Sequence, residues 1–178
     1  MSDTRTTLSL RDALPADILA IVALVESAYR GEGSRRGWTT EAGLLDGQRI
    51  DAEAVAAELA RARSRIRLGF SDERLVACAH VAEEDGAGYF GMFAVSPPLQ
   101  GAGIGKQLLD DAERIARTEW GLGTMRMTVI AQRTELIAFY ERRGYRRTGA
   151  FRPFPYGDAR FGLPRRPDLR FAVLEKPL

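Results

Sequence analysis

SPPLQGAGIGKQLLDDAERIA, residues Ser96–Ala116, sets glycines at 101, 103 and 105 directly before a run in which Ile104, Leu108, Leu109, Ala112, Ile115 and Ala116 recur at helical spacing. Glycine at alternate positions removes β-carbons, so successive backbone N–H groups can turn toward one anion. The helix that follows adds its free first amides and the positive end of its dipole. Glycine spacing by itself leaves two readings open, a phosphate site and an unliganded turn. Two nucleotide motifs fail on the letters. A P-loop needs glycine five residues before Gly105, where Gln100 stands, and a hydroxyl after Lys106, where Gln107 stands. A dinucleotide fingerprint needs glycine three residues after Gly103, where Lys106 stands, and a preceding strand of a parallel sheet.

Outward from this stretch the chain alternates elements. Before it, Ile66, Leu68 and Phe70 alternate with polar or small residues as in a half-buried strand. LVACAHVA (75–82) is the fuller run of a central strand, and EEDGAG turns into YFGMFAVS, which predicts a three-strand antiparallel meander. Nearer the N-terminus, TLSLRDA predicts a strand, and Ile18, Ile21, Val22, Val25 and Tyr29 a helix. Asp51 caps a second helix to about residue 62. Residues 31–48, glycine-rich and carrying Trp38, predict a long loop or broken helix. After the glycine stretch come a strand (TMRMTVI), a helix (ELIAFYERRG) stopped by Gly144, and two strands, YRRTGAF and LRFAVLEK, around a proline- and glycine-punctuated segment. The order βααβββαβαββ over residues 1–178 reads as one mixed α/β (α+β) domain.

Composition bounds the function. The 178 residues carry 26 Lys+Arg against 24 Asp+Glu, and only Lys106 and Lys176 are lysines. Arginine abundance admits a phosphate or nucleic-acid partner, but acids interleave the bases and no basic run exceeds two residues, so neither a nucleic-acid nor a membrane partner is expected. No apolar run suits a transmembrane span or a signal peptide, which makes the cytoplasm the expected location. Cys78 is the only cysteine, leaving no disulfide and no thiolate metal cluster; no metal is expected. Cys78 and His80 share a strand face, so a thiolate–imidazole pair, and with it a cysteine hydrolase, stays open as a remote reading.

Val95, Gln100, Gly103 and Gly105 spell V-x-x-x-x-Q-x-x-G-x-G between an antiparallel strand and a helix, and Ala138, Tyr140, Gly144 and Tyr145 lie in ELIAFYERRGYRRTG about forty residues on. The pair resembles the two signatures of the GNAT N-acetyltransferases, whose element order the chain shares over most of its length. The resemblance implies a mostly antiparallel sheet of about seven strands flanked by four helices. It also implies transfer of an acetyl group from acetyl-CoA to a primary amine, a small molecule or a peptide or protein amine, by direct attack through a tetrahedral intermediate. On the same resemblance the backbones of Phe93, Ala94 and Val95 hold the pantetheine and the thioester carbonyl; Gln100, Gly101, Ala102, Gly103, Ile104, Gly105 and Lys106 hold the pyrophosphate; and Tyr140 protonates the departing thiolate. Without it, Tyr140 reads as an aromatic packing its helix. Arg133, at a position where the family often has asparagine, and Tyr140 are expected beside the cofactor on the same resemblance.

The acceptor is expected between residues 30–41 and the loop 152–168, with Trp38, Glu41, Tyr89, Phe154 and Tyr156 as contacts and Arg35, Arg36, Arg152 or Arg160 available for a carboxylate. No acid stands on YFGMF to serve as base; Glu83, Glu84, Asp85, Glu32 and Glu41 each read more readily as solvated surface acids. The partners implied are a CoA thioester and an amine, with a homodimer left open. A rival reading is a catalytically silent acyl-CoA-binding or sensor module on the same fold.

Overall fold

A computed structural model describes residues 7–178; the first six, part of the N-terminal stretch searched for targeting signals, lie outside the described residues. In chain order the elements are β1 (Ser9–Asp12), α1 (Ile18–Tyr29), α2 (Gly31–Ser34), β2 (Leu45–Asp46), α3 (Ala52–Ala60), β3 (Ser64–Ser71), β4 (Arg74–Glu84), β5 (Ala87–Val95), α4 (Ile104–Arg114), β6 (Thr124–Ile130), α5 (Thr134–Glu141), β7 (Arg146–Pro153), β8 (Leu163–Pro164) and β9 (Arg170–Pro177). Seven strands form one sheet in the order β1-β3-β4-β5-β6-β9-β7. The resemblance implied four helices and there are five, because GEGS, inside the segment expected to be a loop, closes one turn as α2.

Local chemistry accounts for the boundaries. Asp51 Oδ1 accepts from Ala54 N at 2.8 Å and starts α3. Gly103, at φ +77°, is the residue before α4, a left-handed conformation that glycine adopts without strain. The apolar stripe of α4 continues beyond Arg114 in a π turn, Ile115–Glu119, rather than as α-helix to Ala116; Trp120 N donates to Ile115 O at 3.2 Å and both Ile115 and Ala116 stay buried. Gly144, at φ +95°, follows the end of α5 as expected.

Helices cover both faces. On one, Ile21, Val25 and Ala28 of α1 and Val55 of α3 pack on Ile66, Leu68 and Cys78. On the other, Ile104, Leu108 and Ala112 of α4 and Ile137 of α5 pack on Val81, Phe90, Met125 and Met127. Fully burying a side chain of this size stabilises by about 1.5–3 kcal/mol relative to exposure. The two aperiodic segments meet in a small ribbon, Leu45 opposite Pro164 and Asp46 opposite Leu163. Two-residue strands carry no period, so sequence patterning could not reveal them.

Two irregularities position the site. All pairings are antiparallel except β5 with β6, which are parallel and paired only at Gly88–Met125 and Tyr89–Arg126; beyond these the strands part. On the opposite edge of β5, Cys78 pairs with Ala94 and His80 with Gly91, so Met92 and Phe93 together oppose Ala79. This is a β-bulge, with Met92 at φ +46°.

Candidate active site

The glycine turn and the start of α4 border a cleft of about 290 Å³ lined by Trp38, Thr39, Phe93, Val95, Gln100, Gly101, Gly103, Gly105, Lys106, Phe139, Arg142 and Arg143. Its first helical bond runs from Gln107 N to Gly103 O, so the amides before Gln107 have no partner within the helix, and their dipole end favours an anion. A β-carbon on Gly105 would sit 2.7 Å from Phe93 Cζ, so glycine there allows the Phe93 ring to close over the helix start. Trp38 and Phe139, centroids 5.5 Å apart, form an apolar wall, and the Arg143 guanidinium lies 3.5 Å from the Phe139 ring centroid. Apolar ring faces beside Lys106, Arg142 and Arg143 fit a ligand with a diphosphate and a largely apolar arm.

Where β5 and β6 part, a smaller cavity of about 60 Å³ is bordered by Tyr29, Glu41, Arg49, Phe90, Met92, Phe93, Thr128, Arg133 and Tyr140, among others. The Tyr29 hydroxyl donates to Phe93 O, tying α1 to the bulge. Tyr140 sits among Phe139, Tyr145, Phe90 and Phe93, with ring centroids 5.3, 5.9, 6.4 and 6.4 Å away. Burial first, then the neighbouring Tyr29, pushes its phenol well above the ordinary value, against the smaller opposing pull of Arg133; it is protonated at neutral pH.

Glu41 is buried, not solvated as expected, and collects three arginines. Arg30 and Arg133 hydrogen-bond to it, Arg133 at 2.9 Å, and Arg49 stands 3.8 Å away. Burial alone would raise its carboxyl, but Arg133, Arg49 and Arg30 together hold it below the usual range. Arg133 also donates to Thr39 O and lies over the Tyr29 ring, 5.2 Å from its centroid.

On the α3 side of the sheet opens a cavity of about 650 Å³, bordered by Arg49, Ile50, Ala54, Glu58, His80, Glu84, Tyr89, Arg152, Arg160 and Phe161, among others. Arg49, Met92, Thr128 and Phe171 line both this cavity and the smaller one, so the two adjoin. His80 Nε2 lies 2.8 Å from Ser64 Oγ and 3.3 Å from Glu58 Oε2. Burial lowers the imidazole to about 4, with Glu58 opposing and Arg61 assisting. Cys78 is in the core and its thiol is pushed up to about 12 by burial. Cys78 Sγ is 3.4 Å from Met92 O while His80 engages Ser64 and Glu58, so the two are committed to different partners.

Several of the expected residues have side chains engaged within the protein. The Gln100 side chain is engaged within the protein: Oε1 accepts from Trp38 N and Thr39 N, and Nε2 donates to Thr39 Oγ1 and Val95 O. Ala94 and Ile104 are core residues, and Ala102 is exposed outside the lining of the cleft. Trp38 borders the cleft with the glycines rather than the large cavity. Phe154 packs with Leu45, Ile130 and Leu169, and Tyr156 OH accepts from Leu169 N and donates to Arg166 O, so both pin the C-terminal loop. Arg35 pairs with Glu32. Tyr29, Thr39, Arg49, Thr128, Phe139, Arg142 and Arg143 join the cavities unannounced by the sequence, Thr128 from β6 and the others from loops or from helix faces that also read as core or surface.

The family model described as Acetyltransferase (GNAT) family matches residues 36–145, which span the cleft, the gap and α5. The chain belongs to the GNAT family. It is thereby an acyl-CoA-dependent N-acyltransferase, in a family that uses acetyl-CoA. Among solved structures, the ribosomal-protein-S18-alanine N-acetyltransferase from Escherichia coli is similar with a TM-score of 0.70 and 16% identity, over 96% of this chain and 94% of that one. The PaiA N-acetyltransferase from Thermoplasma acidophilum, in complex with coenzyme A, has a TM-score of 0.66 and 16% identity, over 97% and 99%. A spermidine N-acetyltransferase SpeG chimera from Vibrio cholerae and hSSAT has 0.67 and 14%, over 96% and 95%. At these identities the likeness is one of fold. No curated protein matches the chain in sequence. Among the described residues no helix is long and apolar enough to cross a membrane, and no group of three or more His, Cys, Asp or Glu is placed to hold a metal ion.

Proposed function

We propose that this GNAT chain transfers an acetyl group from acetyl-CoA to a primary amine by direct attack, with Tyr140 as general acid. The observation that carries the reading is the parting of β5 from β6, where a gap lined by Tyr140 shares Phe93 with the glycine cleft and Arg49, Met92, Thr128 and Phe171 with the large cavity. The diphosphate of CoA would lie at Gly101–Lys106 and the start of α4, flanked by Arg142 and Arg143, and the pantetheine arm along β5 between Phe93 and the Trp38–Phe139 wall. The small volume of the gap, about 60 Å³, suits an acetyl group better than a long acyl chain. The solved neighbours act, by their names, on a ribosomal-protein alanine and on spermidine, both amines.

The amine nitrogen attacks the thioester carbon, the C–N bond forms, and the oxyanion of the tetrahedral intermediate is stabilised by backbone amide donors. Collapse breaks the C–S bond, and the departing thiolate takes the Tyr140 proton, which the nitrogen's lost proton replaces. A thiol of ordinary pKa about 8.5 competes for that proton only in a dry site, where the thiolate is as poorly solvated as the phenolate would be. Glu41, held ionised by arginines, is a poor candidate for base.

Tyr140→Phe keeps the ring packing and removes the proton. The expected result is a fall in kcat of about 10²–10³-fold with the dissociation constant for acetyl-CoA within about two-fold. Unchanged turnover would remove Tyr140 from the mechanism. A chain that binds acetyl-CoA but turns over no amine would be the silent binding module instead.

A further inference from the structure

Arg49 stands at the seam between the large cavity and the gap and lines both. Its backbone is fixed, since Arg49 N and Ile50 N both donate to Glu26 Oε1, the latter at 2.9 Å. Its guanidinium lies over the Tyr29 ring, 5.4 Å from the centroid. Its ion pair with Glu41, at 3.8 Å, is too long for a hydrogen bond, because Arg30 and Arg133 hold that carboxylate directly. Among the described residues nothing accepts a hydrogen bond from this guanidinium, which offers five N–H donors in a rigid fork. At the gap end Arg30, Arg49 and Arg133 face Glu41 and Glu26, an excess of one positive charge, whereas Asp51, Glu53, Glu58 and Glu84 line the large cavity together with Arg152 and Arg160.

A rigid guanidinium with unused donors matches a carboxylate, which it can hold through two parallel bonds. A carboxylate held at the seam lies next to the gap, so an amine of the same molecule reaches the thioester only if very few bonds separate the two groups. We propose that the acceptor is an amine with a carboxylate on the adjacent carbon, a free α-amino acid or close analogue, and that Arg49 binds that carboxylate; this rests on the transferase reading above. The substituent on that carbon then enters the large cavity beside Ile50, Ala54 and Tyr89. The same cation disfavours the ammonium form of the amine, the one that cannot attack. A polyamine would leave the Arg49 donors unused and find its counter-charges only at the acids of the large cavity, and a protein N-terminus gains little from Arg49, since its α-carboxylate has become an amide.

The test measures initial rates of CoA release for α-amino acids with small, apolar, aromatic and acidic side chains. Each is paired with its decarboxylated amine and its carboxamide, with spermidine and a tripeptide alongside. At least one amino acid is expected to exceed its decarboxylated partner by about 10–100-fold in kcat/KM, as losing a hydrogen-bonded charge contact implies. Arg49→Gln is expected to shrink that ratio to about three-fold or less, chiefly through KM, and Arg49→Lys to restore part of it. Thermal stabilisation by CoA confirms that each variant is folded. Preference for spermidine or the tripeptide, a ratio that survives Arg49→Gln, or CoA stabilisation with no amino acid accepted would each overturn the acceptor assignment. Absence of both CoA stabilisation and turnover with any amine would overturn the transferase reading beneath it.

Discussion

Gln100→Ala separates a ligand contact from a structural one. The carboxamide makes four hydrogen bonds, from Trp38 N at 2.8 Å and Thr39 N at 3.3 Å, and to Thr39 Oγ1 at 2.8 Å and Val95 O at 3.0 Å. Each net bond contributes about 0.5–1.5 kcal/mol, and those near solvent fall at the low end because water replaces the lost partner. Together they amount to about 2–3 kcal/mol, and at roughly 2–4 °C per kcal/mol for a chain of this size the ligand-free Tm should drop by about 4–12 °C. Affinity for CoA should fall as well, on the order of 10-fold, because the Trp38–Thr39 wall loses its tie to β5. Scanning fluorimetry without ligand reads the first effect, and titration calorimetry with CoA the second. Gln100→Glu, which keeps the Oε1 acceptor and loses the Nε2 donors, should fall between the two proteins. A pyrophosphate contact would weaken CoA binding and leave the ligand-free Tm alone, so a Tm within about 1 °C of the parent would refute the structural role.

Two further outcomes follow from buried titratable groups. Burial, with Arg61 assisting and Glu58 opposing, lowers His80 to about 4, so the unfolded chain takes up a proton between about pH 6.5 and 4 that the folded chain refuses. Stability should therefore decline as pH falls through that window, and the Tm advantage over His80→Gln should narrow across it; a constant difference would mean that the imidazole is not held neutral. The Cys78 thiol, pushed up to about 12 and buried, should react with iodoacetamide at pH 8 only as fast as the chain opens, and Cys78→Ala should leave turnover within about three-fold. Rapid labelling of the native chain, or loss of turnover in that variant, would reopen the thiolate reading.

The β3 alternation and the α4 stripe were legible because each buries one face, and the Asp51 cap because it is local, although the α3 it starts buries only Val55. The glycine turn was legible for the same local reason, since Gly101 and Gly103 adopt left-handed φ values of +91° and +77°. The rest depends on contacts across long separations. Gln100 meets the Trp38 loop 62 residues away, and Arg133 meets Glu41 92 residues away. Nothing in the spacing of either pair encodes the encounter. In the sequence Glu41 reads as a surface acid because a lone carboxylate in a glycine-rich loop usually is one; only the convergence of three arginines makes its burial tolerable. The five-residue π turn and the two-residue ribbon are too short to leave a periodic trace.

The partnership of Glu41 and Arg133 bears on how the gap keeps its width. β5 and β6 share just two paired positions, so backbone bonding fastens the two halves of the sheet at one end only. Arg133 enters from the β6 half, at the start of α5, and reaches the loop that follows α2 through Glu41 and the carbonyl of Thr39, while Tyr29, at the end of α1, bonds to the β5 bulge. The parted strands are thus braced at their far end by side chains, like a wedge framed on both sides. A residue whose family position suggests touching the ligand serves here to hold the doorway open, so the entropic cost of shaping the thioester's seat falls on folding rather than on binding.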